Sequence, residues 1–265
     1  MLGNITRLPK MNWRDVEFWY VNLASRPDRQ AHAEAEFSRH AIPARRFEAF
    51  TPEQWPGDPA KVARMKARTP GAIGCYHSQT TLIETVIDTD RIVAVCEDDV
   101  CFSEDLPKRL QYVSERLTWD WDIFYLGATF HVPGVWCRHP DCAEWGSIGR
   151  DAEPTADKHI MRVYGEWGTY AYLVNGRNAR KVLRIFDENV HRADGIDHLC
   201  IILGDRLNAY CFVPGMAWQY DNQSNIGKGM TEFSHFRSLG AYVWTDRMED
   251  FDPTSYDWQK GQQSL

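Results

Sequence analysis

The sequence contains no apolar run approaching the roughly 20 residues that a membrane-spanning helix requires. Its opening, MLGNITRLPKMNW, is too polar for a secretory signal, and the seven cysteines are scattered and odd in number. Both features lead to the expectation of a soluble, cytoplasmic protein with reduced thiols. No long Lys/Arg block is present and the net charge is −7, which disfavours a nucleic-acid partner while leaving room for a local basic cleft. A glycine-rich, phosphate-cradling loop is missing too, which weakens a phosphoryl- or nucleotidyl-transfer reading. There are no internal repeats and no low-complexity linker.

What is present is 265 residues of ordinary globular composition, 43% hydrophobic and 25% charged, with 11 tryptophans. That length suits one large α/β domain or two small ones. The stretch EFWYVNLA (17–24) reads as a strand, and DRQAHAEAEFSRH after it as a helix, with Ser25 as cap and Pro27 in the first turn. ARRFEAF (44–50) reads as a second strand and TPEQWPGDPA as loop. In residues 71–88, Ile73, Tyr76, Thr80, Ile83 and Ile87 recur at spacings of three and four, which predicts a helix with one buried face. RIVAVCE (91–97) is a near-continuous apolar run, the pattern of a strand covered on both faces. A helix capped by Ser103, with Glu104 and Asp105 in its first turn, and a strand over 121–127 follow. Residues 128–158 read as a long loop, HIMRVYG, TYAYLVN and NAYCFV (208–213) as strands, and 176–187 and 197–206 as helices. The alternation predicts a single domain with a mostly parallel sheet flanked by helices.

RIVAVCEDDV (91–100) ends its apolar run on three acids. In open α/β sheets ligands gather beyond the carboxyl ends of strands. Residues i and i+2 of an extended segment share a face, so Glu97 and Asp99 are expected to point together into a cleft. Two adjacent carboxylates repel unless a cation compensates. Mn²⁺ or Mg²⁺ suits oxygen ligands, and completes its shell with water and substrate phosphates. The plainer alternative is that the acids cap the following helix.

The motifs WYVNLASRPDR, GAIGCYHSQ, VCEDDV, YLGATFH, GTYAYLVNGRNARKVL, GIDHL and WQYDNQSNI stand in the order found in glycosyltransferase family 25. The chain resembles that family over most of residues 17–226. The resemblance implies a GT-A fold: a nucleotide-sugar-binding half at about 17–127, an acceptor half at about 128–226 and a loop-rich tail at 227–265. It also implies an inverting, metal-dependent transfer of galactose or glucose from a UDP-sugar to a hydroxyl of a glycan or other acceptor, as in lipopolysaccharide biosynthesis. By the same resemblance Glu97, Asp98 and Asp99 match the acidic metal motif. Asn22, Leu23, Arg26 and Arg29 match the opening segment, expected near base, ribose or phosphates. Gly74, Cys75 and Ser78 match a helix motif in which Gln79 replaces the usual His. Asp197 matches a later acid, and Gln219, Ser224 and Ile226 the closing segment.

Glycosyl transfer needs a group that accepts the acceptor's proton. Asp197 is the first candidate, with Asp194 and Glu166 behind it, although Asp197 also sits where a helix cap is expected. Arg26 and Arg29 suit diphosphate oxygens or a solvated helix face. His131, at another strand end, is a candidate for donor sugar or metal, and equally for an ordinary loop residue. His198 and His235 are candidates for extra metal ligands with no spacing argument behind either. CRHPDC (137–142) lacks the second ligand pair of a zinc site. Trp136, Trp145 and Trp167 suit sugar stacking or core packing. Rival readings are a non-catalytic scaffold of this fold, or an enzyme acting on modified nucleobases in DNA.

Overall fold

Strand β1 (Glu17–Asn22) places Phe18 and Tyr20 on one face and Trp19 and Val21 on the other. That alternation organises the whole molecule, because helices cover both faces. The computed structural model describes residues 11–117, 120–129, 152–165, 169–223, 230–231, 245–252, 256–257 and 262–263. Helix α1 (Pro27–Arg39) follows β1 and has Pro27 at its first position, where a missing N–H costs nothing. Its cap position is taken by Arg26, not Ser25, and no side chain caps it. Strand β2 (Ala44–Glu48) is next, then α2 (Ala63–Arg68) and α3 (Gly71–Glu84). Helix α3 ends four residues short of the periodicity's limit, and the chain turns through Asp88 at φ 56°.

Strand β3 (Ile92–Glu97) is followed by the short β4 (Val100–Phe102), α4 (Leu106–Arg116) and β5 (Ile123–Tyr125). Ser103 does not cap α4. Asp105 occupies the cap position, and its carboxylate instead accepts from Met248 N and pairs with Arg109. Strands β6 (Ala152–Pro154), β7 (Ile160–Val163) and β8 (Ala171–Asn175) lead to α5 (Gly176–Asn189), α6 (Ile196–Ile202), β9 (Ala209–Phe212) and β10 (Ala217–Gln219).

The main sheet runs in the order β2-β1-β3-β8-β5-β9-β7-β6. On one face, Val93, Val95, Tyr125 and Tyr172 pack with Ile83 of α3, Val182 of α5 and Leu199 of α6. On the other, Ala94, Cys96, Phe124 and Leu173 meet Phe37 of α1 and Leu110 and Val113 of α4. Burying each Val or Leu contributes about 1.5–3 kcal/mol.

The expectation of a mostly parallel sheet is corrected. β1 pairs in parallel with β2 and β3, and β5 with β9, but β8 runs antiparallel to both β3 and β5, and β7 to β6 and β9. A continuous apolar run reports burial on both faces and says nothing of strand direction. The sheet is therefore mixed, with its all-parallel part, β2-β1-β3, where the acidic triplet emerges. Among the described residues, no helix is long and apolar enough to cross a membrane.

Candidate active site

The triplet lies in the tight connection between β3 and β4. Glu97 ends β3, while Asp98 and Asp99 form the turn. The carboxylates of Glu97 and Asp99 do converge, but through this turn and not along an extended strand. They converge on Gln219: its Nε2 donates to Glu97 Oε2 at 2.8 Å and to Asp99 Oδ1 at 3.0 Å. Gln219 is delivered by β10, which pairs antiparallel with β4 so that Gln219 stands opposite Val100. The turn before β10 is fixed by Arg109, fully buried in α4, whose guanidinium donates to Pro214 O at 3.0 Å and Gly215 O at 2.8 Å.

Asp98 faces the other way. Asn22, at the end of β1, donates to its Oδ2 at 2.7 Å, and Arg29 of α1 to its Oδ1 at 2.8 Å. Arg29 also lies 3.2 Å from Asp99 Oδ2. The Asn22 side chain is fully committed: it donates as well to Arg26 O and accepts from Arg46 Nε at 2.9 Å. Burial pushes the Asp98 carboxyl up despite Arg29. Glu97 is pushed well above the carboxylate range by burial, then by Asp99, Asp98 and Asp197. The site thus concentrates negative charge where water is scarce.

Helix α3 forms the opposite wall. Gln79, buried, accepts from the Tyr172 hydroxyl at 2.7 Å, and its Nε2 lies 3.2 Å from Cys75 Sγ and 3.5 Å from Glu97 Oε1. Burial, then Glu97 and Asp197, push the Cys75 thiol up. Asp197, in the first turn of α6, keeps part of its surface open. Its depth raises its pKa, and the His198 N–H, donated to Oδ1 at 2.8 Å, opposes that rise.

Other sequence candidates are placed elsewhere. Ser78 Oγ donates to Gly74 O at 2.7 Å and accepts from Phe50 N at 2.8 Å, latching α3 to the segment after β2. Asp194 accepts from Arg64 Nε at 2.6 Å and pairs with Arg68 at 3.2 Å, bonds that fasten α6 to α2. Arg26 pairs with Asp28 at 2.7 Å at the surface, and Leu23 O accepts from Arg26 N in the turn above β1. His198 is buried, with Nδ1 accepting from Asp194 N. His131, Glu166, Ser224, Ile226, His235, the segment 137–142 and Trp136, Trp145 and Trp167 lie outside the described residues. Sequence reasoning missed Tyr172 and Arg46. Tyr172 left one trace, a hydroxyl amid the apolar strand 171–174.

Among the described residues, no group of three or more His, Cys, Asp or Glu side chains is arranged to hold a metal ion. The pair Glu97 and Asp99 offers two hard oxygens of the kind that suits Mg²⁺ or Mn²⁺ keeping waters and substrate phosphates in its shell, and in this structure the Gln219 amide nitrogen bridges them, so a cation there would take the place of that amide.

Residues 16–197 match the sequence profile of "Glycosyltransferase family 25 (LPS biosynthesis protein)". The chain belongs to glycosyltransferase family 25. The triplet falls inside the match, Asp197 at its last residue and Gln219 beyond it. A family 25 relative from Rattus norvegicus, "Probable inactive glycosyltransferase 25 family member 3", is 27% identical over 209 residues, covering 72% of this chain and 33% of the relative. The chain thus spans about a third of that relative's length.

Among solved structures, mouse xyloside xylosyltransferase 1 is similar with a TM-score of 0.37 and 10% identity, over 75% of this chain and 72% of that one. GlyE of Streptococcus pneumoniae TIGR4 gives 0.36 and 9%, over 74% and 44%. A glycosyltransferase involved in glycosylation of the major capsid of PBCV-1 gives 0.31 and 12%, over 67% and 68%. Scores this low do not establish a shared fold.

Proposed function

We propose that this family 25 chain is an inverting, metal-dependent glycosyltransferase domain of GT-A type that moves a hexose, galactose or glucose, from a UDP-sugar to a hydroxyl of a glycan or other acceptor. The observation that carries the reading is the convergence of Glu97 and Asp99 on Gln219 at the mouth of the β2-β1-β3 block. Glu97 and Asp99 would hold Mn²⁺ or Mg²⁺, which would supply positive charge against the leaving diphosphate.

The protein's own groups have separable tasks. Arg29 and Asn22 hold Asp98, which fixes the turn and so the aim of its two neighbours. Asp197 takes the proton of the attacking hydroxyl as the new bond to the anomeric carbon forms and the bond to the diphosphate oxygen breaks. Its raised pKa brings it nearer to neutral pH, where a carboxylate base is most effective.

UDP release from UDP-galactose and UDP-glucose tests this, with Mn²⁺ and with EDTA. Mn²⁺-dependent release that Asp197→Asn abolishes while UDP binding persists supports it. Release that ignores both metal and Asp197 overturns it.

A second reading, a donor-binding domain without turnover, is favoured by Gln79. This side chain stands where the resemblance has His, it cannot titrate, and it is held by Tyr172. The rat relative, named as inactive, points the same way. UDP binding without UDP release would select it.

A further inference from the structure

Arg109 of α4 is fully buried, and its guanidinium joins pieces of chain that are remote in sequence. Its Nε lies 2.5 Å from Asp105 at the helix cap, and its Nη1 donates to Pro214 O and Gly215 O. Its Nη2 donates to Thr245 O at 2.8 Å, which brings in a segment from near the end of the chain. That segment returns to the same charge pair, because Met248 N donates to Asp105 Oδ2 at 2.7 Å. Beyond it Phe251 is buried in the apolar cluster on the α3 face, while Met248 packs against the cluster on the α4 face. Residues 245–251 therefore form a strap, seated on a buried ion pair and anchored by an aromatic ring.

What the strap holds leads to the acidic turn. After Gly215, Met216 O accepts from Ser103 N at 3.1 Å and Met216 N donates to Leu126 O at 2.7 Å. The chain then enters β10, the ladder partner of β4, and Tyr220 N donates to Asp99 O at 3.3 Å. The other side of β4 is held by α1, through His32 at Val100 O, Glu36 at Phe102 N and Arg39 at Phe102 O. The turn carrying Asp98 and Asp99 is thus gripped from α1 and from β10, and the second grip runs back through Arg109 to the strap. A buried guanidinium has no water to turn to, so the carbonyls that satisfy it are held firmly.

We infer that Asp105 and residues 245–248, acting through Arg109, are positioning elements that set the aim of Glu97 and Asp99. The inference rests on the donor-site reading above for what that aim serves. These elements act at a distance from the acids, by keeping β10, and with it β4, in register. The strap and the turn before β10 lie beyond residues 16–197, the part matched to the family.

One hydrogen bond of the strap can be deleted without disturbing its backbone. Met248 is the first residue of a short 3-10 helix (Met248–Asp250), and Arg247 before it is extended, at φ −125° and ψ 141°. Proline suits both that position and that preceding conformation. Met248→Pro therefore removes the N–H that Asp105 accepts, while Met248→Ala keeps it and controls for the lost side chain. Each variant is first shown to melt cooperatively, then titrated calorimetrically with UDP in Mn²⁺ and followed by amide hydrogen exchange.

Met248→Pro should weaken UDP binding roughly three- to tenfold relative to Met248→Ala. Its Ser103 and Tyr220 amides should exchange faster, with the amides of β1 unchanged. UDP affinity equal in the two variants overturns the positioning role, as does exchange that quickens to the same extent throughout the chain. Wild type that binds no UDP overturns the donor-site reading itself, and exchange at Ser103 and Tyr220 then decides alone whether the strap sets the turn.

Discussion

Arg29 and Asp98 form a buried ion pair at 2.8 Å that joins helix α1 to the acidic turn. Removing one partner of such a pair strands a charge in a place with little water, and typically costs about 3–5 kcal/mol. Arg29→Met should therefore lower the unfolding free energy measured in urea by that order. Adding Asp98→Leu should recover part of the loss, since one of the two carboxylates that Arg29 neutralises is then gone while Asp99 remains. Additive losses in the double variant would show that the pair is not coupled.

The raised carboxyls make stability depend on pH. Burial raises Glu97, Asp98 and Asp197 above their ordinary values, so from the usual carboxylate pKa of about 4 upward these three groups hold more protons in the folded chain than in the unfolded chain, and His40, His77 and His159, lowered by burial from 6.5, act in the opposite sense only below that value. Stability then falls as pH rises through that window, the opposite of a surface-paired acid. Metal-free protein should be more stable to urea at pH 5 than at pH 8, with a shallower slope in Glu97→Gln. A stability that rises over this range would contradict the assignment of these three acids as the dominant groups.

Gln219 bridges two acids with one amide. Gln219→Glu replaces the donor with a further carboxylate, so repulsion replaces two hydrogen bonds. In EDTA its melting temperature should fall below wild type, more at pH 8 than at pH 5, and Mn²⁺ should restore it further than it raises wild type. A variant indifferent to both pH and Mn²⁺ would mean that Gln219 is not packed between the acids.

Gly74 lets α3 approach the segment after β2. A Cβ there would lie 2.2 Å from Phe50 O, a backbone atom that cannot swing aside. Gly74→Ala should cost about 1–3 kcal/mol by overpacking and loosen the Ser78–Phe50 latch. Protection of the Phe50 amide in hydrogen exchange reads this directly. Retained protection would show that the helix tolerates the methyl.

Much of this architecture was legible in the chain. Periodicity located α3 and α4, the cap and first-turn residues marked α1, and the apolar run 91–97 marked β3. The direction of β8 was not legible, because the signal for a doubly covered strand is the same either way up. Strands β4 and β10 were missed for want of length: three residues carry no period, and only their pairing defines them. In the site, the convergence of Glu97 and Asp99 followed from adjacency in sequence. The roles of Ser78 and Asp194 as fasteners did not, since their partners Phe50 and Arg64 are remote in the chain. Tyr172 and Arg46 escaped for the same reason.

The central claim is that Glu97 and Asp99 hold a cation which holds a nucleoside diphosphate. The most direct measurement is the melting temperature of wild type and Asp99→Ala with UDP, in Mn²⁺ and in EDTA. At a UDP concentration 100 times its dissociation constant, wild type in Mn²⁺ should gain about 2.7 kcal/mol of stability, and neither EDTA nor Asp99→Ala should allow that gain. Equal stabilisation by UDP in EDTA, or in Asp99→Ala with Mn²⁺ present, would contradict the claim.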